Sequence, residues 1–73
     1  MLKTKTFTHY GSSPQAVADQ VTAQVNQLLA ICEIDGSTEV DVHPQIPAMG
    51  VATGNVLIFL TSQTVVWEPA AER

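Results

Sequence analysis

Apolar residues recur with a helical period from Pro14 to about Cys32. Val17, Val21, Val25, Leu28 and Cys32, with Ala18 and Leu29 beside them, share one face of such a helix. The opposite face, with Gln15, Asp19, Thr22, Ala23, Asn26, Gln27 and Ala30, carries a single charge. Ser13 suits the N-cap, and Pro14 suits the first helical position, where its missing N–H costs nothing. Ala16 stands where a capping box needs Glu or Gln, so the box is incomplete. The pattern predicts a helix over 14–32, with a turn at Asp35-Gly36, a pair suited to positive φ.

Outside that segment the alternation is strand-like. Residues 2–10, "LKTKTFTHY", are rich in Thr and aromatics, with neither face cleanly apolar, which suits an edge strand or a bulge. In "TEVDVH", residues 38–43, Val40 and Val42 point one way and Glu39, Asp41 and His43 the other, as in a half-buried strand with one wet face. Pro44 and Pro47 break regular structure. "PAMGVATGN", residues 47–55, reads as a loop closed by Gly54-Asn55. Residues 56–61 form the next strand. Residues 64–68, "TVVWE", either continue it past an irregular "TSQT" or make a short fourth strand, and Pro69 ends it. The expected class is α+β, with order β-α-β-β and room for that short fourth strand. One helix packs on one face of a small, mainly antiparallel sheet. Residues 1–68 form a single domain and 69–73 a flexible C-terminal tail.

The run from Val56 to Leu60 is uninterrupted by polar residues. In a strand, Val56, Ile58 and Leu60 point one way, and Leu57 and Phe59 the other. A single helix covers only one of these faces. An identical copy is the expected cover for the second, giving a symmetric homodimer or a higher closed oligomer; the alternatives are a sheet curled by the fourth strand to bury the face internally, or a tolerated patch. Phe7, Leu57, Phe59 and Trp67 are the expected interface residues, with Phe7 and Phe59 opposite the helix and Trp67 near the rim.

Composition narrows the function classes. A chain of 73 residues buries only about 60% of its unfolded surface, so help from a partner matters. Charged residues are 14% of the chain, against about 25% in an ordinary soluble domain, and such a bland surface favours association. The formal net charge is −4, with Lys3, Lys5 and Arg73 the basic residues. They cannot form the clustered basic patch that phosphate binding needs, so no nucleic-acid partner is expected. The apolar run at 56–60 is too short to span a bilayer. No charged and apolar leader is evident, and Cys32 has no second cysteine to pair with. A cytoplasmic location is expected.

Candidate chemistry is sparse. Glu39, Asp41 and His43, with His9 on a neighbouring strand, are metal-ligand types at no diagnostic spacing, and a solvated strand face is expected. His9 near Ser12 and Ser13 offers a base beside a hydroxyl, but no third group orients it, and a helix cap is the expected role. Cys32 lies on the apolar helix face and is expected in the core. Its neighbours Glu33 and Asp35 are the opposite of what activates a thiol. Gly36, Gly50 and Gly54 form no phosphate-binding pattern. Neither catalytic residues nor a cofactor is expected, and the reading is a non-enzymatic interaction module.

Two resemblances bear on this. The stretches "KTKTFTH", "VTAQVNQLLA" and "NVLIFL" resemble a family of short sporulation-associated bacterial proteins with this element order, which implies the fold and no activity. "GSSPQAVADQV", residues 11–21, is similar to the strand-to-helix turn of dodecins, small β-α-β-β proteins that form hollow flavin-binding oligomers. That resemblance implies an alternative, a small-ligand carrier with a site between subunits. Dodecins stack flavin on a tryptophan in the strand after the helix. Here that strand, "TEVDVH", holds no aromatic residue.

Overall fold

A computed structural model describes residues 1–70. The elements are β1 (Lys3–Gly11), α1 (Pro14–Asp35), β2 (Thr38–Val42), β3 (Met49–Thr53) and β4 (Val56–Glu68). β4 is the axis of the sheet. It pairs antiparallel with β1 along one edge and with both β2 and β3 along the other. One helix thus packs on a small antiparallel sheet, the α+β arrangement expected.

The strand count differs from expectation in two places. "TSQT" is no interruption: β4 runs unbroken for 13 residues. Its polar stretch pairs with β1, Thr8 opposite Ser62 and Thr6 opposite Thr64. The extra strand is instead β3, in the segment expected to be a loop. Gly50 and Ala52 are weak strand formers. Pairing from Met49↔Leu60 to Thr53↔Val56 organises them nonetheless. Gly54, at φ 63°, and Asn55 make a two-residue hairpin turn that favours such a residue. Between β2 and β3 the chain stays on the β4 edge, with His43 N–H donating to the Thr64 carbonyl at 3.0 Å and Ile46 N–H to that of Ser62 at 2.9 Å.

α1 begins as the sequence suggests. Ser13 Oγ accepts from the Ala16 amide at 3.4 Å, and Pro14 follows it. The helix runs one turn further than the apolar period, to Asp35. Gly36, at φ 75°, stops it: its amide bonds the Glu33 carbonyl at 3.3 Å, and the Ser37 amide bonds that of Cys32 at 2.9 Å. That is a Schellman ending, which glycine adopts without a Cβ clash.

Val17, Val21, Val25 and Cys32 are buried on the helix. The central cluster is Val21, Val25 and Val65, with Phe7, Leu28, Leu29 and Trp67 packed against it. The register makes odd-numbered positions of β1 and β4 the helix side: Lys5 faces Val65, Phe7 faces Gln63 and His9 faces Thr61. Phe7 and Phe59, expected opposite the helix, therefore lie on its side. A period of two says which residues share a face, not which face the helix takes. Thr61, the one buried polar residue among those described, donates from Oγ1 to the Ile46 carbonyl.

β2 also departs from expectation. All five of its residues are exposed, Val40 and Val42 included. α1 packs chiefly on β1 and β4, and on the far edge it is Gln45, after β2, that reaches it, donating to the Ala18 carbonyl and to Thr22 Oγ1 at 3.3 Å each. A bulge between Thr38 and Asp41, with Glu39 at φ 54°, inserts one extra residue opposite β4. Of the tail expected at 69–73, Pro69 and Ala70 are half-buried; residues 71–73 lie outside the described residues.

Candidate interaction surface

The face of the sheet away from α1 has no cover among the described residues. Its positions are Thr4, Thr6, Thr8 and Tyr10 on β1, the even-numbered residues of β4, and Met49, Val51 and Thr53 on β3. The face is graded along its length. At the β1–β4 centre it is hydroxylic, where Thr6 and Thr64 hydrogen-bond across the strands at 2.8 Å. At the hairpin end it is apolar: Tyr10, Val56, Ile58, Leu60, Met49 and Val51. Met49 is 57% exposed and Val56 56%. Charge is confined to the far end, where Asp41 pairs with Val66 and Glu68 receives the Met1 amino group at 2.7 Å.

The hairpin of β3 and the first residues of β4 projects. β1 pairs with β4 only as far as Gly11↔Phe59, while β3 continues to Val56. The molecule measures 51 × 18 × 15 Å as a result. No acidic or basic residue occurs between His43 and Glu68. Natural edge strands are commonly guarded by charge, as Lys3 and Lys5 guard β1 here; β3 has no such guard. On the helix side of the arm, Leu57 is 52% exposed.

Phe7, Leu57, Phe59 and Trp67 do share one side of the sheet, the helix side. Phe7 and Trp67 pack against the core cluster, Phe59 is half-buried, and Leu57 is exposed. Two grooves open there. One, of about 420 Å³, is lined by Lys3, Asp35, Ser37, Trp67, Pro69 and Ala70. The other, of about 250 Å³, runs between β1 and α1 and is lined by Lys5, Phe7, Gln24, Gln27, Leu28 and Ile31. Lys5 Nζ sits 5.7 Å from the centre of the Phe7 ring.

The remaining candidates are placed without assembling a reactive centre. His43 Nε2 lies 3.4 Å from Asp41 Oδ2 at an exposed site. Among the described residues no three His, Cys, Asp or Glu side chains come together as a metal site. His9 Nε2 hydrogen-bonds Gln24 Oε1 on α1 at 2.7 Å, so it braces helix against strand, while Ser13 caps the helix. Cys32 is a buried free thiol. No described helix is long and apolar enough to cross a membrane. The chain matches no protein-family model, no curated protein and no solved structure.

Proposed function

We propose that this chain is a small non-enzymatic module that acts by self-association, the uncovered face of its sheet packing on the same face of an identical copy. The observation that carries this reading is the apolar, charge-free hairpin end of that face. Free edges and apolar faces of this kind are where sheets join other chains. A strand of 13 residues is about 43 Å long and three strands are about 14 Å wide, so the face spans roughly 600 Å². That approaches the ~800 Å² each partner contributes to a stable interface. The hydroxylic centre suits such a face as well, since Thr and Ser neither repel a copy nor carry charge into the contact. With so few basic residues, protein rather than nucleic acid is the partner, and the setting is cytoplasmic. Light scattering at micromolar concentration tests the reading. The expected mass is a multiple of 7.8 kDa, and Val51→Asp together with Val56→Asp lowers it.

A second reading, a flavin carrier of the dodecin kind, is favoured by the Trp67 wall of the larger groove. A yellow preparation with a flavin absorbance spectrum supports it; a colourless one removes it.

A further inference from the structure

The hydrogen-bond alternation along β4 decides which backbone groups of β3 are used and which are left over. Thr53↔Val56 closes the two-residue Gly54-Asn55 turn, and the pair that closes such a turn exchanges both of its N–H···O bonds. Bonded pairs alternate along the ladder, so Val51↔Ile58 and Met49↔Leu60 are bonded as well. Further along the same edge the Ile46 and His43 amides donate to the Ser62 and Thr64 carbonyls, again even-numbered residues of β4. Gly50 and Ala52 therefore aim their N–H and C=O groups away from β4, and nothing among the described residues meets them there. Every residue of β3 is exposed. On the helix side the edge itself carries only the small Gly50 and Ala52, so no bulky β3 side chain stands over it there. Leu57 and Phe59 lean across Gly50 toward that edge: a Cβ there would lie 3.2 Å from Leu57 Cδ1 and 3.5 Å from Phe59 Cε1.

We propose that this edge pairs with the β3 edge of a second copy, antiparallel and across a two-fold axis through Val51. The proposal rests on the self-association reading above and adds an edge contact to its face contact. Three observations select a second copy as the occupant. First, the strand is its own complement: in that register Gly50 faces Ala52 of the copy and Ala52 faces its Gly50, each a pair that exchanges both bonds, so every group left open at Gly50 and Ala52 finds a partner. Second, the arm holds no acidic or basic residue, so the reciprocal contact sets no like charges against each other, and Val51 meets Val51 of the copy as a close apolar pair. Third, the open face of one chain, at roughly 600 Å², falls short of the ~800 Å² of a standard interface. Pairing through β3 joins two such faces into a continuous one of about 1,200 Å², which clears it. Edge pairing thus makes a two-fold unit, and two units stack through their joined faces into a closed assembly.

The test is amide hydrogen exchange read by NMR on the full, purified chain, with sedimentation velocity on the wild type and on Ala52→Pro. In the single chain the Gly50 and Ala52 amides face water, and stacking of open faces alone leaves them there. In the proposed pair they are bonded, and they are expected to exchange at least about 100-fold more slowly than in an unstructured chain. An isotope-filtered Overhauser contact from the labelled Gly50 amide to an unlabelled copy is expected with it. Ala52→Pro removes an outward donor and spares the β4 ladder, at the kind of edge position where a strand tolerates proline. With far-UV circular dichroism verifying the fold, its mass is expected to fall at least about twofold as the edge contact is lost. Val51 is not the test position, because its side chain also lies on the open face. The exchange measurement needs no variant and stands even where Ala52→Pro does not fold. Freely exchanging Gly50 and Ala52 amides in the assembled protein, which leave the edge to a strand of some other protein, overturn this proposal and spare the self-association reading. A folded Ala52→Pro of wild-type mass does the same. A wild-type monomer overturns both.

Discussion

Replacing Val21 by alanine is the most direct probe of the helix-on-sheet core. Val21 is fully buried, at 0% exposure, and clusters with Val25 and Val65. The substitution deletes two carbons, worth about 0.8 kcal/mol each in transfer from water. The void they leave adds roughly 1 kcal/mol at about 24 cal/mol per Å³, since neighbouring valines are short and cannot reach in to fill it. A total loss of about 2–3 kcal/mol follows. A domain of this size holds roughly 4–11 kcal/mol in all, so the loss is a large fraction of its stability. Urea unfolding followed by Trp67 fluorescence is a suitable assay, because this single tryptophan packs against the same cluster. With a slope near 1 kcal/mol per molar, the midpoint falls by about 2 M at fixed protein concentration. The control is Ile34→Ala on the same helix, where the side chain is 84% exposed and the expected change is within about 0.5 kcal/mol. Equal midpoints for the two variants would refute the packing argument. Val21→Asp places a charge in the same site and is expected to abolish folding.

Other consequences follow from single positions. Gly36→Ala forces a Cβ into the left-handed end of α1 and lowers stability by about 1 kcal/mol in the same urea assay; Ser13→Ala, which removes the N-cap acceptor, costs about 1 kcal/mol. An undiminished midpoint in either variant contradicts the assigned cap. Calorimetric titration with zinc is expected to show no micromolar site at Glu39, Asp41 and His43. A tight site lost in His43→Ala overturns that expectation.

The helix was legible because its signal is redundant. Four apolar positions at helical spacing, a Ser-Pro start and an Asp-Gly end agree with one another, and the extra turn to Asp35 is set by the Gly36 stop rather than by the last apolar position. β3 was not legible because its stability is not local. Met-Gly-Val-Ala-Thr has weak strand propensity, and only its partner β4, on the far side of the Gly54-Asn55 turn, makes it a strand. The polar "TSQT" hid the continuity of β4 for a related reason. Thr61 and Gln63 point toward the helix side, and carbonyls of Ile46 and His43 accept from them. The choice of open face was the deepest ambiguity. Leu57 with Phe59 and Val56 with Ile58 are equally apolar, and only the packing of Phe7 and Trp67 under α1 decides between them. Leu57, read from the run itself, remains exposed after folding, whereas Met49, Val51 and Tyr10 came into view only with the register.

Self-association stands or falls on the mass of the folded chain in solution. Sedimentation equilibrium at micromolar concentration, in buffer without denaturant, measures it independently of shape, which matters for a molecule 51 Å long. The account predicts a single species whose mass is a whole multiple, two or more, of the 7.8 kDa chain. A monodisperse species at 7.8 kDa, whose solubility is unchanged by Val51→Asp and Val56→Asp, would contradict it.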